Sequence, residues 1–195
     1  MPTAMAPLFR FDANTHEYLD LERNEVLPHI TGMLQATGWI DDRFYTAESS
    51  ARGQAVHRLA TEHDLGALDI ITYQSEYRGW LLGHIKTVSI VRPEWTHLEE
   101  PFVHPRLRFG GRPDRVGRIF GAVAVWEIKS GAPDKAHRIQ TALQAILVAP
   151  AVGLPPEAIL RYAEHLKPTG KYALDQHTSR WDFDEAYRVI KRCCA

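Results

Sequence analysis

The chain has 195 residues, 45% of them apolar and 24% charged, with a formal net charge of −1. These proportions are ordinary for a soluble globular domain with a sizeable core, and the near-zero charge gives no global sign of nucleic-acid binding. The two cysteines, neighbours at 193 and 194, rule out a disulfide framework or a four-thiolate site, which leaves a reducing cytoplasm as the natural setting.

In chain order, the first thirty residues suggest a small β lead-in with Phe9, Phe11, Tyr18 and Leu19 on strands. Thr31 is placed to cap a short helix through Met33 and Leu34, stopped by Gly38. Residues 46–64 carry a helical pattern, with Val56, Leu59 and His63 on one face and Gly66 as the stop. Gly53 inside it costs about 1 kcal/mol relative to alanine and asks for a packing or functional reason. A second helix is expected over 75–89, anchored by Trp80, Leu81, Ile85 and Val88. Strands then follow near 98–104, 106–109, 112–119 and 122–129. Residues 134–148 form a long helix, 150–156 a loop, 158–166 and 171–177 two strands, and 184–192 a closing helix. Trp80, Trp95, Trp126 and Trp181 read as core. This order predicts one α/β domain over 1–195. Residues 1–45 form its lead-in, 46–150 its catalytic core and 151–195 its C-terminal strands and helix. The mixed central sheet is flanked by helices, and the long helix serves as a crossover. No apolar run approaches the roughly 20 residues of a membrane span, and no signal peptide is evident at the N-terminus.

The chemistry concentrates in residues 111–129. Gly111-Arg-Pro-Asp-Arg-Val is followed by Ala122-Val-Ala-Val-Trp-Glu-Ile-Lys, so Glu127 and Lys129 stand two apart on a strand and share a face. A two-residue turn at Phe120-Gly121 sets Asp114 opposite Glu127, with Cβ atoms about 5 Å apart. Carboxylates that close repel unless a cation lies between them, and magnesium favours such oxygen ligands. Lys129 beside the pair can orient an attacking water. Arg106, Arg108, Arg112, Arg115 and Arg118 crowd the same segment. On a strand regular from 112 onward, Arg112 and Arg118 share the face of Asp114 and can grip phosphate, whereas Arg115 points away.

This constellation resembles the PD-(D/E)xK nuclease superfamily, in its lambda-exonuclease and RecB-type branch. Ala51-Arg-Gly-Gln-Ala-Val-His-Arg resembles that branch's first helix, in which His57 matches a metal-binding histidine. His137-Arg-Ile-Gln-Thr-Ala-Leu-Gln resembles its later helix, with Gln140 at the glutamine and Gln144 where a tyrosine is usual. His16-Glu-Tyr and Leu27-Pro-His-Ile-Thr, followed by Met33-Leu34, resemble the lead-in of phage and bacterial members.

The resemblance implies a restriction-endonuclease-like core. It also implies one or two Mg²⁺ or Mn²⁺ ions held by His57, Asp114, Glu127 and the backbone carbonyl of Ile128, and with only two cysteines no iron–sulfur cluster of the kind some relatives carry is expected. Lys129 and Gln140 join Asp114 and Glu127 in catalysis, Arg52, Arg112, Arg118 and Gln140 bind nucleic acid, and Glu100, or its neighbour Glu99, is a further acid near the site. The function it implies is an exonuclease acting on DNA with free ends, in recombination, repair or phage DNA processing, within a bacterial or phage-infected cell. A homo-oligomer, a catalytically silent DNA-end or partner-binding module, and a dimeric endonuclease are all compatible with the same pattern.

Overall fold

The computed structural model describes residues 8–194 apart from 42, 44, 45, 70–72 and 74; expectations for residues 1–7 fall outside it. An antiparallel sheet opens the chain, made of β1 (Phe9–Asp12), β2 (Glu17–Asp20) and β3 (Glu25–Leu27). Helix α1 (Ile30–Ala36) follows, then α2 (Ala47–Asp64) and α3 (Arg78–Val91). The cap of α1 is His29 rather than Thr31: its Nδ1 accepts the Gly32 amide. Helix α2 starts with a reciprocal capping box between Thr46 and Ser49.

The central sheet contains β4 (Glu94–Leu98), β7 (Arg115–Ile119), β8 (Ala122–Lys129), β9 (Leu160–Leu166) and β10 (Tyr172–Gln176), in the order β10-β9-β8-β7-β4. β8 and β9 run parallel and the other neighbours antiparallel, so the sheet is mixed. Helix α4 (Ala136–Val152) makes the crossover between the parallel pair, and α5 (Trp181–Cys193) ends the described chain. The short pair β5 (Phe102–Val103) and β6 (Gly110–Gly111) lies to one side.

Alternation along the strands sorts two cores. Val116 and Val125 pack with Ile139, Leu143 and Ile146 of α4, Phe183 and Val189 of α5, and Met33 and Leu34 of α1. On the opposite face Ile119, Trp126 and Ile128 pack with Val56 and Ala60 of α2. The molecule is therefore an α/β/α sandwich with a mixed central sheet, as the order of elements predicts. Among the described residues no helix is long and apolar enough to cross a membrane.

Three expectations are corrected. Residues 106–109 are not a strand: the Arg106 and Leu107 amides donate to the His104 ring, and Arg108 takes a positive φ of 53°. Helix α4 runs past Pro150 to Val152, because the carbonyl of Ala149 still receives the amide of Gly153. Helix α5 begins at Trp181, so that buried Asp182 meets Arg161 at 3.0 Å while Trp181 itself is exposed.

A candidate metal centre in a mixed-charge cleft

The hairpin turn is made by Phe120 and Gly121, whose φ values of 51° and 82° suit a two-residue turn between twisted strands. The ladder pairs Ile119 with Ala122 and Arg115 with Trp126. Continued by one rung, it faces Asp114 toward Glu127, at the point where β7 begins and β8 ends. Asp114 is locked there, since its Oδ2 accepts the Ile128 amide at 2.6 Å. Gly110 and Gly111, just upstream, have no room for a side chain. A Cβ on Gly111 would stand 2.6 Å from Ile30 Cδ1, and one on Gly110 would enter the Tyr18 ring.

A cleft of about 610 Å³ opens over this point. Its floor carries Asp114, Glu127, Gln140 and Gln144, one wall comes from α2, and His16, Tyr18, His29 and Thr31 form another. From α2, Gln54, His57, Arg58 and Thr61 reach the cleft, the i, i+3, i+4, i+7 spacing of one helix face. Gly53 also lines it, and a Cβ there would meet only Ser130 Oγ at 4.0 Å, so tight packing does not explain that glycine.

Three ligand-type groups converge. His57 Nδ1 lies 3.2 Å from Asp114 Oδ1 and 3.9 Å from Glu99 Oε1. One ligand atom from each of the three lies within 4.8 Å of the others. Glu127 stands beside them under heavy restraint. Its Oε1 accepts Lys129 Nζ at 2.8 Å and Gln140 Nε2 at 2.6 Å, and its Oε2 accepts Gln144 Nε2 at 2.5 Å. Lys129 Nζ also donates to Gln140 Oε1 at 2.9 Å.

Electrostatics follow this packing. Burial, then repulsion from Asp114, lifts the Glu127 carboxyl above its usual range, and Lys129 and Gln144 offset this only in part. Burial would lift Asp114 as well, but His57, Lys129 and the Ile128 amide outweigh it and hold that carboxyl low. Burial pushes His57 down, yet Asp114 and Glu127 more than reverse it, so the imidazole is raised. One imidazole and several carboxylates, with one acid repelling another, form a nitrogen–oxygen donor set that fits Mg²⁺ or Mn²⁺.

Several candidates named from sequence meet here: His57, Asp114, Glu127 and Gln140, with Lys129 bonded to Glu127 and Gln140. At Ile128 it is the amide that engages the site, by donating to Asp114, whereas the expected ligand is its carbonyl. Others stand elsewhere. The acid at the cleft is Glu99 rather than Glu100; a positive φ of 49° turns Glu99 inward, where Thr61 Oγ1 donates to it at 3.1 Å. Glu100 faces solvent near His97. Of the five arginines only Arg112 lines the cleft, 3.5 Å from Glu99 Oε2 and above the Phe11 ring. Arg118 points to the far end of the hairpin and donates to the Gly121 carbonyl. Arg108 clips its loop to Asp20 and Glu25, Arg106 is exposed, and Arg115 is fully buried behind Asp114. Arg52 does not line the cleft, whereas Arg58, further along α2, does. Gln144 proves to be a direct donor to Glu127.

Neither a protein-family model nor a curated protein matches the chain. Among solved structures, a crystal structure of a Eubacterium rectale protein described as a "putative exonuclease" is similar, with 11% identity and a TM-score of 0.43. The similarity covers 83% of this chain and 69% of that one.

Proposed function

We propose that this chain is a divalent-metal-dependent deoxyribonuclease, an exonuclease acting at DNA ends. What carries the reading is one arrangement: His57, Glu99 and Asp114 converge in an open cleft that Glu127 and Gln140 also line, with Lys129 bonded to both of the latter. The resemblance to PD-(D/E)xK nucleases, drawn from the ordered motifs, points the same way.

Asp114, Glu127 and His57 would hold the ion, with Glu99 at its edge. A bound Mg²⁺ or Mn²⁺ supplies Lewis-acid polarisation of a phosphate oxygen and makes nearby water more acidic. The protein's own groups do the rest. Lys129, fixed between Glu127 and Gln140, orients a water for attack and offsets charge that builds on the phosphoryl oxygens. Gln140 and Gln144 hold the Glu127 carboxylate still, so little reorganisation remains when the substrate arrives. The raised His57 must shed its proton before it can ligate, so metal affinity should climb as pH rises through the range in which that imidazole deprotonates, above its ordinary one.

The decisive assay incubates purified protein with end-labelled linear DNA and with covalently closed circular DNA, in Mn²⁺ and in EDTA. Mn²⁺-dependent loss of the linear DNA with the circle spared is expected. Cleavage that survives EDTA, or no cleavage of either substrate, would sink the assignment; nicking of the circle would make it an endonuclease.

Substrate binding divides the arginines. Arg112 and Arg58 stand at the cleft, so Arg112→Ala and Arg58→Ala should weaken binding of all DNA sequences alike. Each should also lower the slope of log affinity against log salt by about 0.7–0.9. Arg118→Ala should bind as wild type. Fluorescence anisotropy at several salt concentrations, with Ca²⁺ replacing the catalytic ion, measures this. Equal losses for all three would mean the cleft does not hold the strand.

A further inference from the structure

Behind the cleft lies a chain of charged groups with no access to solvent. Arg115 Nε donates to Asp64 Oδ2 at 2.7 Å. The other oxygen of Asp64 faces His84 Nε2 at 3.0 Å, and His84 Nδ1 faces Glu164 Oε2 at 2.8 Å. Trp126 Nε1 donates to that same glutamate oxygen at 3.1 Å. The side chains of Arg115, Asp64, His84 and Glu164 are all fully buried. His84 meets a carboxylate at each ring nitrogen, which requires both nitrogens to carry protons. Two carboxylates then face one guanidinium and one imidazolium. His63 Nδ1 also lies 3.1 Å from the Asp64 oxygen that faces His84, while the other Asp64 oxygen is taken by the Arg115 guanidinium.

Its open end points at the candidate metal centre. Arg115 Nη1 donates to the main-chain carbonyl of Asp114 at 2.7 Å, and that carbonyl also receives the Glu99 amide at 2.9 Å. One oxygen thus ties together the backbones of two of the cleft's acids, and one buried guanidinium holds that oxygen. Arg115 lies on the strand face away from the cleft, which is why alternation alone gives it no role there.

We propose that Arg115 is a positioning residue, anchored by Asp64, His84 and Glu164, that sets the placement of Asp114 and Glu99. This rests on the metal-dependent nuclease reading above. A guanidinium can grip Asp64 with Nε and the Asp114 carbonyl with Nη1 at once. A lysine ammonium can satisfy the charge of Asp64 but cannot span both.

The test compares wild type with Arg115→Lys, and with Asp64→Leu/Arg115→Met, which removes the pair together and leaves no unmatched charge. Three readouts are taken: hydrogen exchange at the Glu99 amide in metal-free protein, Mn²⁺ affinity, and kcat and KM on linear DNA. In both variants the Glu99 amide should exchange at least about tenfold faster, and Mn²⁺ affinity and kcat should each fall about 10–100-fold, as is typical of groups that orient ligands. KM for DNA should stay within about twofold, since no phosphate contact is lost. Wild-type protection at Glu99 together with wild-type kcat in Arg115→Lys would overturn the proposal. If that variant does not fold, the same result in the double variant overturns it. Wild-type protein that neither binds Mn²⁺ nor cleaves DNA would instead overturn the nuclease reading, and the positioning role with it. The two failures are therefore told apart by the wild type.

Discussion

Asp114→Asn, Glu127→Gln and Lys129→Ala should each lower DNA cleavage by at least about a thousandfold, or about 4 kcal/mol of transition-state stabilisation. Asp114 and Glu127 would lose the negative charge that attracts the ion, and Lys129→Ala would leave Glu127 held only by glutamine amides. The fold should survive in all three. Asp114→Asn and Glu127→Gln each remove a charge that packing has forced out of water, and the repulsion that lifts Glu127 disappears with either; Lys129 is partly exposed, and Gln140 and Gln144 still bond Glu127 once it is gone. Single-turnover rates with saturating Mn²⁺, set beside thermal melts, give the measurement. A variant that keeps a tenth of wild-type activity would remove its residue from the chemistry.

Stability should respond most to the buried network. Asp64→Ala leaves Arg115 as a buried cation without its carboxylate, while His84 keeps only Glu164, which costs about 3–5 kcal/mol, or on the order of 10 °C in Tm for a chain of this size. The network also makes stability depend on pH in a defined direction. Burial pushes His84 down, but Glu164 and Asp64 outweigh it and raise it from 6.5 to about 9. The folded state therefore holds a proton that the unfolded state releases above about 6.5. The resulting stabilisation is complete below that pH and is lost as pH rises through about 9. It amounts to roughly 3 kcal/mol at 1.36 kcal/mol per pH unit. Urea denaturation at pH 6, 8 and 10 should show this decline in wild type and a flatter profile in His84→Gln. Parallel profiles would mean that His84 is not the titrating group.

The sequence was most legible where local chemistry and the global fold agree. Phe120-Gly121 signals a tight turn, and once that turn is fixed the strand period leaves no freedom: Asp114 must meet Glu127. The long helix between parallel strands was equally plain from its apolar periodicity. What escaped depends on backbone twists and burial that no period encodes. Arginines at 106 and 108 mimic strand alternation, but the His104 ring captures two amides and folds that stretch into a turn. Glu99 and Glu100 are indistinguishable as letters, and a single left-handed φ decides which one enters the cleft. A buried arginine is rare enough that Arg115 gives no local sign of its position; only Asp64 and His84, distant in sequence, make that position affordable.

The two glutamines on α4 set a condition on how the site behaves in alkali. Gln140 and Gln144 stand one turn apart and donate to opposite oxygens of one carboxylate. An amide has no proton to lose in water, whereas a phenol in the same place would ionise near pH 10 and turn from donor to repelling anion. The grip on Glu127 from this helix therefore persists through the alkaline range, so a fall in activity there does not originate in the two amides that steady the carboxylate.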